Sequence, residues 1–129
     1  MNQINAAAVC VDDDPHILQM LSLQLRKCMN QEEILMDFFQ KPEDVMTHLK
    51  TLEERGVELR FLLTDYRMPG MSGYELIKSV KAEFPDLKCI LLSGQADQHH
   101  VSELKKEGLL DAFIGKPWKE QELFALLGC

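Results

Sequence analysis

The sequence predicts an α/β fold in which a five-stranded parallel sheet lies between two layers of helices. Three observations lead there. Short apolar runs alternate five times with amphipathic helical patterns. The runs are continuously apolar rather than alternating, as expected for strands buried on both faces. The 129 residues match one ordinary domain, large enough to bury a core without metal or disulfide staples. Right-handed crossovers then place helices on both sides of the sheet. Residues 1–129 are expected to form that single domain.

The first strand runs from Ala6 to Val11. Asp14-Pro15 follows as an N-cap and a first-turn proline, and Ile17, Leu18, Leu21 and Leu25 recur at helical spacing. The second strand covers Ile34 to Phe39. Its helix starts near Pro42, buries Val45, Met46, Leu49 and Leu52, and ends at Gly56. The third strand is Leu59 to Thr64. The loop Met68-Pro69-Gly70-Met71-Ser72-Gly73 leads to a helix carrying Leu76, Ile77, Val80 and Phe84, which Pro85 stops. Cys89 to Ser93 is the fourth strand. The helix at about 97–107 has a thin apolar face, chiefly Val101 and Leu104, and Gly108 ends it. Leu109 to Ile114 is the fifth strand. The final helix is expected to carry Trp118, Leu123, Phe124, Leu126 and Leu127.

Composition narrows the function. Apolar residues make up 46% and charged residues 27%, a globular balance. The net charge of −7 argues against nucleic acid or an anionic membrane as direct partner. No apolar run approaches the roughly 18 residues of a membrane span. The N-terminal residues lack a basic segment followed by an apolar stretch, so no signal peptide is expected and the location is read as cytoplasmic. Cys10, Cys28, Cys89 and Cys129 form no CxxC pair. They are expected to be reduced, mostly buried thiols.

Four of the five strands run into polar residues: Asp12-Asp13-Asp14, Asp65, Ser93, and Lys116 after Gly115. A parallel sheet brings all these ends to one edge, where open α/β sheets bind their ligands. Three carboxylates there would repel. Each pair some 4 Å apart costs roughly 1 kcal/mol in water and about 4 kcal/mol at an effective dielectric of 20. Such a pocket must take up a proton or a cation. Its oxygen donors favour Mg²⁺, and Mg²⁺ with Lys116 neutralises three acids. The metal and Lys116 would also stabilise phosphoryl oxygens.

Four segments carry a family likeness: Val11-Asp12-Asp13-Asp14-Pro15, Leu63 to Gly73, Leu91-Leu92-Ser93-Gly94, and Phe113 to Trp118. In this order the chain resembles a two-component response-regulator receiver domain over nearly its whole length. The resemblance implies a flavodoxin-like three-layer sandwich with strand order 2-1-3-4-5. It implies that Asp65 accepts a phosphoryl group from a sensor histidine kinase or phosphotransfer protein. Asp12, Asp13, Asp65 and the main-chain carbonyl of Arg67 would hold Mg²⁺. Ser93 would bond a phosphoryl oxygen, and Lys116 would pair with Asp65 or its phosphate. Lys116-Pro117 is expected to be cis. Phe113 matches the aromatic switch position, which Ser93 would release. Arg67 and Gln95 match positions that tune dephosphorylation. Asp14 stands where Glu is more usual, Ser93 where Thr is also common, and Phe113 where Tyr is.

By this resemblance the domain is a signalling phosphoacceptor rather than an enzyme on other molecules. Its further partners would be an output domain or effector protein, and a second copy in a homodimer. Two other readings compete. A haloacid-dehalogenase-like phosphatase would use Asp12 as nucleophile within Asp12-x-Asp14, but Pro15-His16 breaks its pattern and no downstream acidic pair follows. A receiver that no longer takes phosphate would act as an interaction module only, against which the complete set of acids, hydroxyl and lysine argues. The remaining singled-out residues have ordinary structural roles. Asp14 is a helix cap, Met68 and Met71 pack the loop, and Lys105-Lys106 is a solvated face. His99 and His100 are solvated, and His16 and His48 have no partners at ligand spacing.

Overall fold

The computed structural model describes residues 5–94 and 98–129, the side chain of Gln98 excepted. Gln95 and the start of the expected helix at Asp97 lie outside the described residues. The elements are β1 (Ala6–Val11), α1 (Pro15–Cys28), β2 (Ile34–Phe39), α2 (Val45–Glu54), β3 (Glu58–Asp65), α3 (Gly73–Glu83), β4 (Lys88–Ser93), α4 (Gln98–Lys106), β5 (Ala112–Gly115) and α5 (Glu120–Leu127). A single 3₁₀ turn, Pro42–Asp44, introduces α2. All strand pairs are parallel, in the order β2-β1-β3-β4-β5. This is the flavodoxin-like sandwich with five helices.

The period of two along each strand divides the core. Val9, Val11, Leu62 and Leu91 face α2, α3 and α4, where Leu49, Ile77, Val80, Val101 and Leu104 meet them. Ala8, Cys10, Leu63, Ile90, Leu92 and Ile114 face α1 and α5, against Leu18, Leu21, Leu25 and Leu123. Burial of each large aliphatic side chain contributes about 1.5–3 kcal/mol. Asp14 caps α1 as expected: its carboxylate accepts from the His16 N–H at 2.9 Å. No helix among the described residues is long and apolar enough to cross a membrane.

Some expectations need correction. The fifth strand begins at Ala112 rather than Leu109. The Leu109 N–H still bonds back to Leu104 at 2.9 Å, and Leu109 and Leu110 pack on the core from the connection. Trp118 precedes α5 instead of lying on it. Cys10 and Cys89 are buried thiols, but Cys28 and Cys129 are joined as a disulfide, their Cα atoms 5.5 Å apart. The cause is tertiary: the ends of α1 and α5 meet, which a separation of 101 residues conceals. His48 Nε2 is hydrogen-bonded to the Asp37 carboxylate on β2 at 2.5 Å, a pairing outside the metal-ligand spacing considered above.

Candidate functional site

The polar strand ends meet on one rim because of register. Asp65 pairs with Leu92, and Ser93 with Gly115. Main-chain bonds tie the ends together. The Asp12 N–H donates to the Phe39 carbonyl at 3.0 Å, Tyr66 to Leu92 at 2.9 Å, and Lys116 to Ser93 at 2.8 Å. The Lys116-Pro117 bond is cis. The Trp118 indole N–H donates to Gln24 Oε1 on α1 at 2.9 Å, which holds the loop beyond Lys116.

Carboxylate oxygens of Asp12, Asp13 and Asp65 lie within 4.8 Å of one another. Asp12 is wholly buried, Asp65 nearly so, and Asp13 is exposed. Lys116 Nζ donates to Asp65 Oδ1 at 2.8 Å and to Asp12 Oδ2 at 3.0 Å. Asp12 Oδ1 accepts from the Asp14 N–H at 2.9 Å. The lysine therefore bridges two acids, where the sequence suggested only Asp65.

Burial is the largest influence on Asp12 and Asp65. It holds both carboxyls above the ordinary carboxylate range despite the hydrogen bonds from Lys116 and from main-chain N–H groups, and a neighbouring acid adds to the rise. Burial would lower the Lys116 ammonium. Its hydrogen bonds to Asp65 and Asp12 outweigh that and raise it above its usual value. Three ionised carboxylates and one ammonium leave the pocket short of positive charge. A hard divalent cation fits this set of oxygen donors.

The loop after β3 is pressed against the acids. A side chain on Gly73 would put its Cβ 2.2 Å from the Asp65 carbonyl oxygen, so only glycine fits there. Gly70 adopts φ +85°, in the left-handed region. The Gly73 N–H donates to the Tyr66 carbonyl at 2.8 Å, and Ser72 caps α3 by accepting from the Glu75 N–H. The sequence marked this segment as a loop but missed the close approach. The glycine at the start of a helix was the available signal.

Ser93 is buried, and its hydroxyl donates to the Gly94 carbonyl at 3.1 Å. Arg67 is exposed two residues beyond Asp65. Phe113 is half-buried against the core, with Lys105 Nζ 6.0 Å from its ring centre. Met68 and Met71 pack the loop as expected. His99 is exposed, at 3.0 Å from Glu103. His100 is not solvated as expected. The Tyr66 hydroxyl is hydrogen-bonded to its Nδ1, and the Tyr74 ring stacks on it at 4.3 Å. Tyr74 donates in turn to Glu103 at 3.0 Å. These contacts join the residue after Asp65 to α3 and α4, and adjacent histidines on a helix gave no hint of them.

Fold, acidic pocket and bridging lysine together define a class of protein. Residues 8–128 match the response regulator receiver domain family, and the chain belongs to it, within the two-component systems. It is similar to the transcriptional regulator NtrC of Proteus hauseri, 31% identical over 117 residues, covering 91% of this chain and 23% of that protein. It is also similar to the two-component response regulator ORR1 of rice, Oryza sativa subsp. japonica, 30% identical over 125 residues, covering 92% of this chain and 52% of ORR1. The chain thus spans only part of the curated relatives it matches. A response regulator receiver domain protein from Clostridium thermocellum superposes with a TM-score of 0.78 at 25% identity, covering 95% of this chain and 91% of that one. The family match favours the receiver reading over the phosphatase one.

Proposed function

We propose that this receiver is a phosphorylation switch in which Asp65 takes a phosphoryl group from a histidine of a sensor kinase or phosphotransfer protein. The observation that carries the reading is the convergence of three carboxylates within 4.8 Å, with Lys116 bridging the two buried ones. An Asp65 oxygen attacks phosphorus, the O–P bond forms as the N–P bond breaks, and the histidine leaves. Asp12, Asp13, Asp65 and the Arg67 carbonyl are the groups that would hold Mg²⁺, which when bound supplies positive charge beside the phosphoryl oxygens. Lys116 keeps its contact with Asp12 and turns its remaining N–H bonds to the new phosphate. The Ser93 hydroxyl exchanges the Gly94 carbonyl for a phosphoryl oxygen. That shift at the Ser93 end of β4 frees space for Phe113 to turn.

The output surface is α4, β5 and α5, presented to an output domain, an effector or a second copy. The thin buried apolar face of α4, Val101 and Leu104, supports this, because a shift of α4 disturbs that narrow face and the polar contacts of His100 and Glu103 rather than a broad core interface. Phosphorylation biases two existing states through such differential contacts. We further read residues 1–129 as one receiver unit acting in the cytoplasm, with no catalytic action on other molecules.

Mass spectrometry after incubation with acetyl phosphate and Mg²⁺ tests the assignment. One phosphoryl adduct mapping to Asp65 is expected, abolished by chelation and by Asp65→Asn. An adduct that survives Asp65→Asn overturns it, as does failure of the wild-type chain to take one.

A further inference from the structure

The four cysteines fall into two pairs of opposite character. Cys10 and Cys89 lie in strands of the core, and burial pushes both thiols up to about 12. They stay protonated and out of reach, which makes them inert. Cys28 closes α1 and is half-buried. Cys129, two residues past α5, is exposed. Their Cα atoms are 5.5 Å apart, inside the range a disulfide spans without backbone movement. The Cys129 sulfur also lies 3.4 Å from the Cys28 carbonyl.

Two weaker contacts join the same elements. Lys27 on α1 meets Glu120 on α5 at 2.9 Å, and Gln24 holds Trp118 at 2.9 Å. Lys27 is well exposed, and such surface pairs contribute little. Leu25 and Leu123 meet in the apolar core beneath these contacts, so the two sulfurs add a covalent tie at the surface to packing that already holds α5 near α1.

We propose that Cys28 and Cys129 form a redox modification site, a dithiol that closes by exchange with a small-molecule disulfide and locks α5 onto α1. Exposure makes Cys129 the first attacker. Its thiolate displaces one thiolate from the small disulfide and forms a mixed disulfide. The Cys28 thiolate then attacks the Cys129 sulfur and expels the second. Two protein thiols are oxidised, one small disulfide is reduced to two thiols, and the two protein protons pass to those leaving groups. Excess small thiol runs the exchange backwards, because a bridge at the surface remains open to attack. The clasp is a dithiol in reducing surroundings and a lock in oxidising ones. It acts on the segment that follows Lys116.

The test uses the intact chain, equilibrated natively in glutathione buffers of increasing oxidised fraction and quenched by alkylation. Peptide mapping is expected to show a Cys28–Cys129 bridge that forms with oxidation and reopens in excess reduced glutathione, with Cys10 and Cys89 untouched. Cys28→Ser is expected to stop at a mixed disulfide on Cys129. Closure is expected to raise Tm by about 10 °C and to slow amide exchange in α5. The proposal is overturned if both residues remain thiols in fully oxidised glutathione. It is equally overturned if the bridge resists excess thiol until the chain is denatured, or if closure leaves both Tm and α5 exchange unchanged.

Discussion

Lys116 sits between two acids that burial makes reluctant to ionise. That single arrangement sets how the pocket competes for cations. The Asp12 and Asp65 carboxyls are raised chiefly by burial, so each holds a proton more tightly than an ordinary aspartate does. A divalent ion must displace those protons. Its affinity is therefore expected to fall as pH is lowered, and the fall begins above the ordinary carboxylate range. Calorimetric titration of Mg²⁺ from about pH 8 to about pH 4 measures this, and a constant affinity across that span contradicts it. At this scale the sequence was informative where backbone geometry does the work. A parallel sheet sends all strand C-terminal ends to one rim, so Asp12, Asp65, Ser93 and Lys116 could be brought together from their positions in the runs. The second contact of Lys116, and the bond between Tyr66 and His100, were illegible. Both depend on side-chain directions that only packing fixes.

Between elements, a buried cation holds α3 to the sheet. Lys81 on α3 is buried, and its Nζ donates to Asp111 Oδ2 at 2.8 Å and to the Pro85 carbonyl at 3.5 Å. Asp111 Oδ2 also accepts from the Cys89 N–H at 2.8 Å, so one carboxylate ties α3 and β4 to the start of β5. Asp111→Ala would strand the ammonium. Breaking a buried pair costs about 3–5 kcal/mol. The Asp111 side chain is 39% exposed, which lets water reach Lys81 and reduces the expected loss to about 2 kcal/mol. Urea unfolding measures it, and adding Lys81→Met to Asp111→Ala is expected to recover part of the loss. Burial tends to raise the Asp111 carboxyl, but the Lys81 hydrogen bond and the Cys89 N–H outweigh it and hold it below its ordinary value. Its contribution is thus fully present above the ordinary carboxylate range and fades as pH falls through the lowered value. The same junction explains why β5 starts at Ala112 and not at Leu109. Leu109 and Leu110 are apolar because the core covers them, and apolarity reports burial without saying which main-chain groups pair. The Asp111 N–H, bonded to the Cys89 carbonyl at 3.1 Å, is where the ladder begins.

Across the whole molecule the balance is acidic, net −7, and the pocket concentrates that excess. Strand order followed from the family likeness, while the meeting of Cys28 with Cys129 waited on knowing how the helix ends fall. The pocket also makes a prediction about global stability. Acids whose carboxyls are raised on folding stabilise the chain when protonated and lose that contribution as pH rises through the raised values. Near neutral pH the ionised pocket therefore opposes folding. A cation that binds the folded chain alone reverses this by mass action, adding about 2.7 kcal/mol at a concentration one hundred times its Kd. For a domain of this size that corresponds to a rise in Tm of about 5–15 °C. Asp65→Asn removes one of the opposed charges. It is expected to melt higher than wild type in chelator and to gain less from Mg²⁺. Calorimetry at matched ionic strength separates site binding from general screening, which an equal dose of monovalent salt would reproduce. If Mg²⁺ leaves the wild-type Tm where the monovalent salt puts it, or if Asp65→Asn melts lower in chelator, the three carboxylates are not the strained cluster their burial and spacing describe.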